Sequence, residues 1–331
     1  MRHINIGILI FVLAGCSAPK EKKLVGSIEK FDPALDELIA PNAQAEIIGD
    51  GFEWSEGPVW VESEKMLLFS DVPKNIIYKW TEDKGVETFV NHAGYTGAVP
   101  RGGEPGSNGL TLDNEGRLAI CQHGDRRVAL FTASFKDPKP EFKTLADNYL
   151  GKKFDSPNDL VFDKQGNLFF TDPPYGLLKH DKDSSKQIPF QGVYKVKTDG
   201  TVILLVDSLT RPNGIALSPD QQTLYVANSD PSKANWYSFR MKGDSLTDAK
   251  IFSAAKIAEG EKGLPDGMRV DKNGNLFATG PGGIWIFNSQ GKALGRINLP
   301  EATANCTFST DGKTLYATSD MYLLRVMLQP K

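Results

Sequence analysis

Glu56-Gly-Pro-Val-Trp60 is the first of six related openings along the chain. The others begin at Asn108 (NGLTLD), Asn158 (NDLVFD), Asn213 (NGIALS), Asp266 (DGMRVD) and Asn305 (NCTFST). Each starts on a carboxylate or carboxamide and continues with alternating apolar residues. Each then meets a short polar turn, such as Asp163-Lys-Gln-Gly166, and enters a second apolar run such as Asn167-Leu-Phe-Phe-Thr-Asp172. The turn glycines supply the positive φ of tight hairpins, and the Val-, Leu-, Phe-, Tyr- and Thr-rich runs read as strands. Third strands follow in every unit, from IIYKW (Ile76–Trp80) to LLRVML (Leu323–Leu328), and fourth strands follow in the first five. The copies start about 40 to 55 residues apart, the period of propeller blades.

The sixth unit ends at Gln329-Pro330-Lys331 without an outer strand, while one apolar segment, Ala45-Glu-Ile-Ile-Gly49, is left over before the first. Pairing that segment with the last unit closes a ring and removes the open edges of the sheet. The expected architecture is an all-β, six-bladed β-propeller over residues 45–331, closed by an N-terminal strand in the last blade. A β-sandwich with coincidental turn spacing is the competing reading, and six aligned copies of a two-part motif argue against it. The one helical candidate, Pro33–Ala40, has Pro at its start and apolar residues at helical spacing, and is expected outside the ring.

The totals agree. A chain of 331 residues with 40% hydrophobic content can bury a large core, and 32 Gly with 20 Pro suit many tight turns. The net charge of -3 and the lack of a basic run in the body argue against nucleic acid as a partner. Cys121 and Cys306 lie in apolar runs of distant repeats and read as two buried, reduced thiols. The ring is expected to work as a monomer.

The N-terminus is of another kind. Arg2 and His3 precede an apolar run, Ile4–Leu13, followed by Ala14-Gly15-Cys16. The run is too short to cross a bilayer and reads as a secretory signal. Small residues directly before a Cys resemble the bacterial lipoprotein signal, in which the chain is cut before the Cys and lipid is attached to it. Residues 1–16 are therefore expected to be a signal peptide with Cys16 as the lipidation site. Residues 17–44 would be a polar tether and short helix, and the protein an envelope lipoprotein, periplasmic or anchored to the outer membrane.

In a propeller the innermost strands line a central channel, so the equivalent residues Glu56, Asn108, Asn158, Asn213, Asp266 and Asn305 converge on one axis. Six oxygen-bearing side chains at one level are costly to dehydrate without a partner. Two carboxylates among carboxamides, without thiolate or imidazole, point to one divalent cation. Ca²⁺ comes first, with Mg²⁺, Mn²⁺ or Zn²⁺ as alternatives. Two long connections, Asn91–Ser107 and Pro173–Gln191, should lie at the same mouth of the channel. The plainer reading of each opening residue alone is a turn residue at a strand start.

At this point the residues carry a resemblance. EGPVW, SNGL, SPNDLVFD with TDPPYGL, RPNGIALSPD, and LPDGMRVD with GNLFATG are similar to the senescence marker protein/gluconolactonase/luciferin-regenerating-enzyme family. TDPPYGL and the run Cys121–Arg127 resemble its bacterial gluconolactonase branch. The likeness spans about Glu46 to Leu328. It implies a six-bladed propeller with one catalytic metal, held by Glu56, Asn158, Asn213 and Asp266, and hydrolysis of a sugar lactone to the aldonic acid. Asn108 then falls near metal or substrate, whereas Asn305, on the same column, is not assigned as a ligand. Asp266 is the first candidate for the base that activates water, and His123, ending the strand after Asn108, the second. Asp172 is a third, and it has the alternative role of holding the Pro-Pro-Tyr-Gly loop. Arg101, Tyr175 and His180, on the two long loops, are candidates to bind substrate, and His92 carries no clear signal. The rivals are an aryl-ester or organophosphate hydrolase on the same frame and a non-enzymatic sugar-binding propeller. No G-x-S-x-G elbow or phosphate-binding Gly-rich loop is present.

Overall fold

Short alternating runs bounded by Asp/Asn-Gly turns leave each segment only one economical partner, the next run in the chain. The computed structural model, which describes residues 22–329, shows that outcome six times. Blade 1 is built from Ser55–Val61, Met66–Asp71, Ile76–Thr81 and Gly85–Asn91. Blade 2 uses Ser107–Leu112, Leu118–Gln122, Arg127–Phe131 and Phe142–Ala146. Blade 3 uses Leu160–Phe162, Leu168–Asp172, Gly192–Val196 and Val202–Val206. Blade 4 uses Pro212–Leu217, Thr223–Asn228, Asn235–Lys242 and Ser245–Ala254. Blade 5 uses Met268–Val270, Leu276–Gly280, Gly283–Phe287 and Ala293–Asn298. Blade 6 uses Thr303–Phe308, Thr314–Ser319 and Tyr322–Met327, and takes its fourth strand, Ala45–Asp50, from the other end of the chain. All pairs are antiparallel, and the first strands of the blades touch one another in ring order, blade 6 against blade 1. The six-bladed propeller is thus closed as expected, with its innermost strands around one axis.

The apolar side chains pack between blades. Leu68 and Ile77 of blade 1 meet Leu110 and Ile120 of blade 2 in one cluster, and Phe169 and Val193 of blade 3 meet Ile215 and Val226 of blade 4 in another. Trp60 stacks on Tyr316 of blade 6, ring centroids 5.5 Å apart, so it fills the seam behind Glu56. Cys121 and Cys306 are free, buried and in different clusters.

The segment expected to be a tether is corrected in part. Leu24–Val25 pairs with Ala45–Glu46 on the outer edge of blade 6, and Ser27–Lys30 pairs with Gly295–Asn298 on the outer edge of blade 5. Gly26 turns the chain between them at φ 79°, where a β-carbon would meet Asn298 O at 2.3 Å. These strands read as polar because edge strands carry charge; Glu29 pairs with Arg296 at 2.9 Å. The expected helix is a 3₁₀ turn, Pro33–Glu37, capped by the Asp32 carboxylate on Ala34 N at 2.9 Å. Leu35 and Ile39 seat it in the core of blades 5 and 6. The leader and Cys16 lie outside the described residues.

Candidate active site

The openings of the six first strands meet at one end of the channel. A cavity of about 320 Å³ lies there, lined by Glu56, Asn108, Asn158, Asn213 and Asp266. Two local features aim these side chains inward. The strand ladder slips between Glu56 and Val59, between Ser107 and Leu110, and between Pro212 and Ile215, so Asn108 and Asn213 leave regular pairing and Glu56 stands at the edge of a slip. The residue after the opening one is often Gly because neighbouring blades touch there. A β-carbon at Gly109 would lie 2.6 Å from Asn158 O, and one at Gly214 would lie 2.1 Å from Asp266 O. Hydroxyls of the second strands hold the same backbone. Ser70 Oγ donates to Asn108 O at 2.9 Å, and Thr171 Oγ1 donates to Asn213 O at 2.6 Å.

The oxygens facing the cavity are short of donors. Asn108 Oδ1, Asn213 Oδ1 and Asp266 Oδ1 are buried without a hydrogen-bond partner. Asn213 is oriented: its Nδ2 donates to Ser229 Oγ at 2.9 Å, and Ser229 donates to Pro265 O. That leaves the Asn213 carbonyl free for the axis. Glu56 accepts from Gly57 N at 2.8 Å and has the Asn305 amide beside it, which favours its charged form, while Asn305 Oδ1 accepts from Cys306 N at 2.9 Å. Asn305 therefore supports Glu56 and has its own oxygen occupied. Burial pushes the Glu56 carboxyl up to about 8. Burial, and then the charge of Glu56, push Asp266 well above the usual carboxylate range. Among the described residues no three His, Cys, Asp or Glu side chains gather as a metal cluster. The donor set is instead two carboxylates and several carboxamide oxygens, the hard, oxygen-only chemistry that a divalent cation of the Ca²⁺ kind fits.

A family model described as the SMP-30/Gluconolactonase/LRE-like region matches residues 54–321. The chain belongs to this family. It is 41% identical to a gluconolactonase of Zymomonas mobilis over 311 residues, which covers 91% of this chain and 86% of that one. It is 27% identical to the pentonolactonase XacC of Haloferax volcanii, over 80% of each chain. Among solved structures, a gluconolactonase from Xanthomonas campestris superposes with a TM-score of 0.79 at 29% identity, covering 95% of this chain and all of that one.

In this member of the SMP-30/gluconolactonase family the two long loops lid the cavity, and they place the remaining predicted residues unevenly. Tyr175 lines the cavity with Ser229 beside it. Arg101 does not line it: the guanidinium donates to Gly124 O at 2.9 Å and to Gly176 O, bridging the two lids. His123 is fully buried beneath the second lid, where Gly176 packs on its ring, and it does not line the cavity. Burial, then the charge of Arg101, lower its pKa to about 3, so it is a neutral imidazole. Asp172 accepts from Asp155 N at 2.9 Å and Ser156 N at 2.8 Å and so holds the segment before Asn158, while Ser156 Oγ, bonded to Pro173 O and Gly176 N, holds the Pro-Pro-Tyr-Gly loop. His92 and His180 are exposed.

Several lining residues were not anticipated, three of them with side chains that bear on the chemistry. Trp54 sits two residues before Glu56, Ser229 directly follows the second strand of blade 4, and Glu104 comes from the first lid. Burial pushes the Glu104 carboxyl up to about 7. Its signal in the sequence was a lone carboxylate in the Gly/Pro run Gly102-Gly-Glu-Pro-Gly106, four residues before Asn108.

Proposed function

We propose that this protein hydrolyses a sugar lactone to the aldonic acid, as a gluconolactonase does. The observation that carries the reading is the set of unpartnered buried oxygens on Asn108, Asn213 and Asp266 beside Glu56, at the floor of a polar, lidded cavity. Glu56, Asn158, Asn213 and Asp266 would hold one divalent cation, Ca²⁺ before Mg²⁺, Mn²⁺ or Zn²⁺. When bound, such an ion polarises the lactone carbonyl and offsets the charge that develops on its oxygen.

The chain's own residues do the rest. Asn108 and Tyr175 offer polar contacts that hold the lactone over the column. Asp266 takes a proton from the attacking water as the oxygen–carbon bond forms, and the ring C–O bond breaks to leave the ring oxygen as a hydroxyl. The proton removed from water is the one the ring oxygen needs, so the reaction consumes one water and releases one hydroxy acid. The lids keep bulk water from the site. Glu104, Tyr175 and Ser229 at the cavity wall favour a polyol over an aryl ester or an organophosphate, and the two carboxylates on the axis favour an enzyme over a passive sugar binder.

The leader motif supports an exported lipoprotein held in the envelope through lipid on Cys16. Loss of radiolabelled palmitate from a Cys16→Ser chain is the expected result; equal labelling would contradict the anchor. The activity is tested on protein lacking its first 16 residues, by following acid release from glucono-δ-lactone. A rate above spontaneous hydrolysis that chelator removes and Ca²⁺ restores is expected. No metal-dependent rate would overturn the lactonase reading.

A further inference from the structure

We infer that Glu104, on the first lid, reads the hydroxyl groups of the substrate, and that His123 is the positioning residue that holds it from behind. The inference rests on the lactonase reading and names a specificity device within that site.

The first lid is not slack. Asn75 Oδ1 accepts from Gly94 N at 2.7 Å and Tyr95 N at 3.0 Å, and Thr96 Oγ1 donates to Asp125 at 2.7 Å. Arg101 ties the same loop to Gly124 and to Gly176 of the second lid. At its far end, Gly106 N donates to Val72 O at 2.9 Å. A loop pinned on both sides of Glu104 holds that carboxylate at the wall of the cavity, facing the column of Glu56, Asn108 and Asp266.

Behind it lies a buried imidazole that faces the backbone of Glu104 as well as its carboxylate. His123 has no exposed surface, and neither of its ring nitrogens has a hydrogen-bond partner. Two idle polar atoms in the interior are costly. A carboxylate oxygen, Glu104 Oε2, lies 3.8 Å from His123 Nδ1. A β-carbon at Gly176 would lie 2.6 Å from His123 Cβ, so the second lid presses on the residue and stops it swinging away. A neutral imidazole carrying its proton on Nδ1 satisfies itself by donating to Glu104. Lid closure over a substrate that draws the two together by under about 1 Å brings the pair within ordinary hydrogen-bond range.

The chemistry of a carboxylate then sets what it reads. Ionised, above about pH 7, the Glu104 carboxylate only accepts, and hydroxyl groups donate. The cavity oxygens of Glu56, Asn108, Asn158, Asn213 and Asp266 belong to the openings of the first strands, and those of Tyr175 and Ser229 are neutral hydroxyls, whereas Glu104 is a carboxyl that comes from a lid and stands apart from the ring. It is the acceptor placed to take hydroxyl hydrogens of a polyhydroxy lactone. A site that hydrogen-bonds a hydroxyl discriminates against the analogue that lacks it, because its own polar group is then left unpaired.

The test compares glucono-δ-lactone with δ-valerolactone, which has the same ring size and no hydroxyls, in the Ca²⁺-loaded protein. Glu104→Gln keeps the shape and loses the charge. The expected result is a higher KM for glucono-δ-lactone and a fall of about 10- to 100-fold in the preference, the ratio of the two kcat/KM values, as expected for hydrogen bonds to a charged group. His123→Ala lowers the same ratio, and His123→Asn, whose amide NH₂ stands where Nδ1–H stood, restores part of it. Thermal midpoints identify any His123 variant that fails to fold, and the Glu104→Gln ratio decides the matter without it. An unchanged ratio in Glu104→Gln, whether both rates fall together or neither moves, overturns the inference and leaves the lactonase reading intact. A wild-type protein inactive on both lactones overturns the lactonase reading itself.

Discussion

The two ends of the innermost strands carry the same residue types with opposite fates. At one end, Asp113, Asp163 and Asp271 sit in the hairpin turns. The Asp163 carboxylate accepts from Gln165 N at 3.0 Å, from Asn167 N at 2.8 Å and from Asn167 Nδ2 at 2.7 Å. Asp271 accepts from Asn273 N, Asn275 N and Asn275 Nδ2, each at 2.8 Å. At the other end, Asn108, Asn213 and Asp266 keep buried oxygens with no partner. The turn carboxylates complete themselves within five residues of chain. The mouth residues are completed only by something that arrives. The difference separates a device for folding from a device for function, although a list of Asp and Asn positions would not distinguish them.

The contrast can be broken from either side. Asp266→Asn or Glu56→Gln should cost on the order of 10³-fold in kcat/KM for glucono-δ-lactone. In chelator-treated protein Glu56→Gln should raise the thermal midpoint, because it removes a carboxyl that burial forces to take up a proton on folding. Full activity in either variant would remove these residues from the site.

Next in size is Asn305→Ala. Asn305 touches no cavity but holds Glu56, and such supports are worth about 10- to 100-fold in metal affinity. Calcium titration should therefore show weaker binding with the stoichiometry unchanged; unaltered affinity would reduce Asn305 to filling.

The pH dependence sharpens the same point. Glu56 stands at about 8 in the folded chain against an ordinary 4.5. Between those values the metal-free folded state binds more protons than the unfolded state, so its stability falls as pH rises. Urea melts of chelated protein should show that downward slope from about pH 5 to pH 8, and saturating Ca²⁺ should flatten it. A slope of the opposite sign would mean that the mouth is not electrostatically strained. The smallest effect belongs to the turns. Asp163→Ala should cost about 1–3 kcal/mol of stability by orphaning its donors. It should leave the rate near wild type, and a selective loss of activity would erase the distinction between the two ends.

Much of this was legible in the sequence because it repeats. Six openings in register fixed the blades, the closing strand Ala45–Asp50 and the column from Glu56 to Asp266. The lids do not repeat, so nothing periodic marked Glu104 as lining the cavity or Arg101 as a clamp between loops. His123 was visible as the end of a strand near the mouth, but its burial depends on Gly176, more than fifty residues on, packing against it. The strands at Leu24–Val25 and Ser27–Lys30 were missed for another reason. They lie on edges, where charged residues protect the sheet and erase the apolar signal. The hydroxyls of Ser70 and Thr171 did leave a trace, a small hydroxyl residue near the end of every second run but that of blade 2, whose meaning appears only once neighbouring blades are in contact.

Calcium titration calorimetry on chelator-treated protein tests the difference between the two ends most directly. The expected result is one ion per chain in the wild type and in Asp163→Asn, and none in the Glu56→Gln, Asp266→Asn double variant. Equal binding by the double variant and the wild type would contradict it.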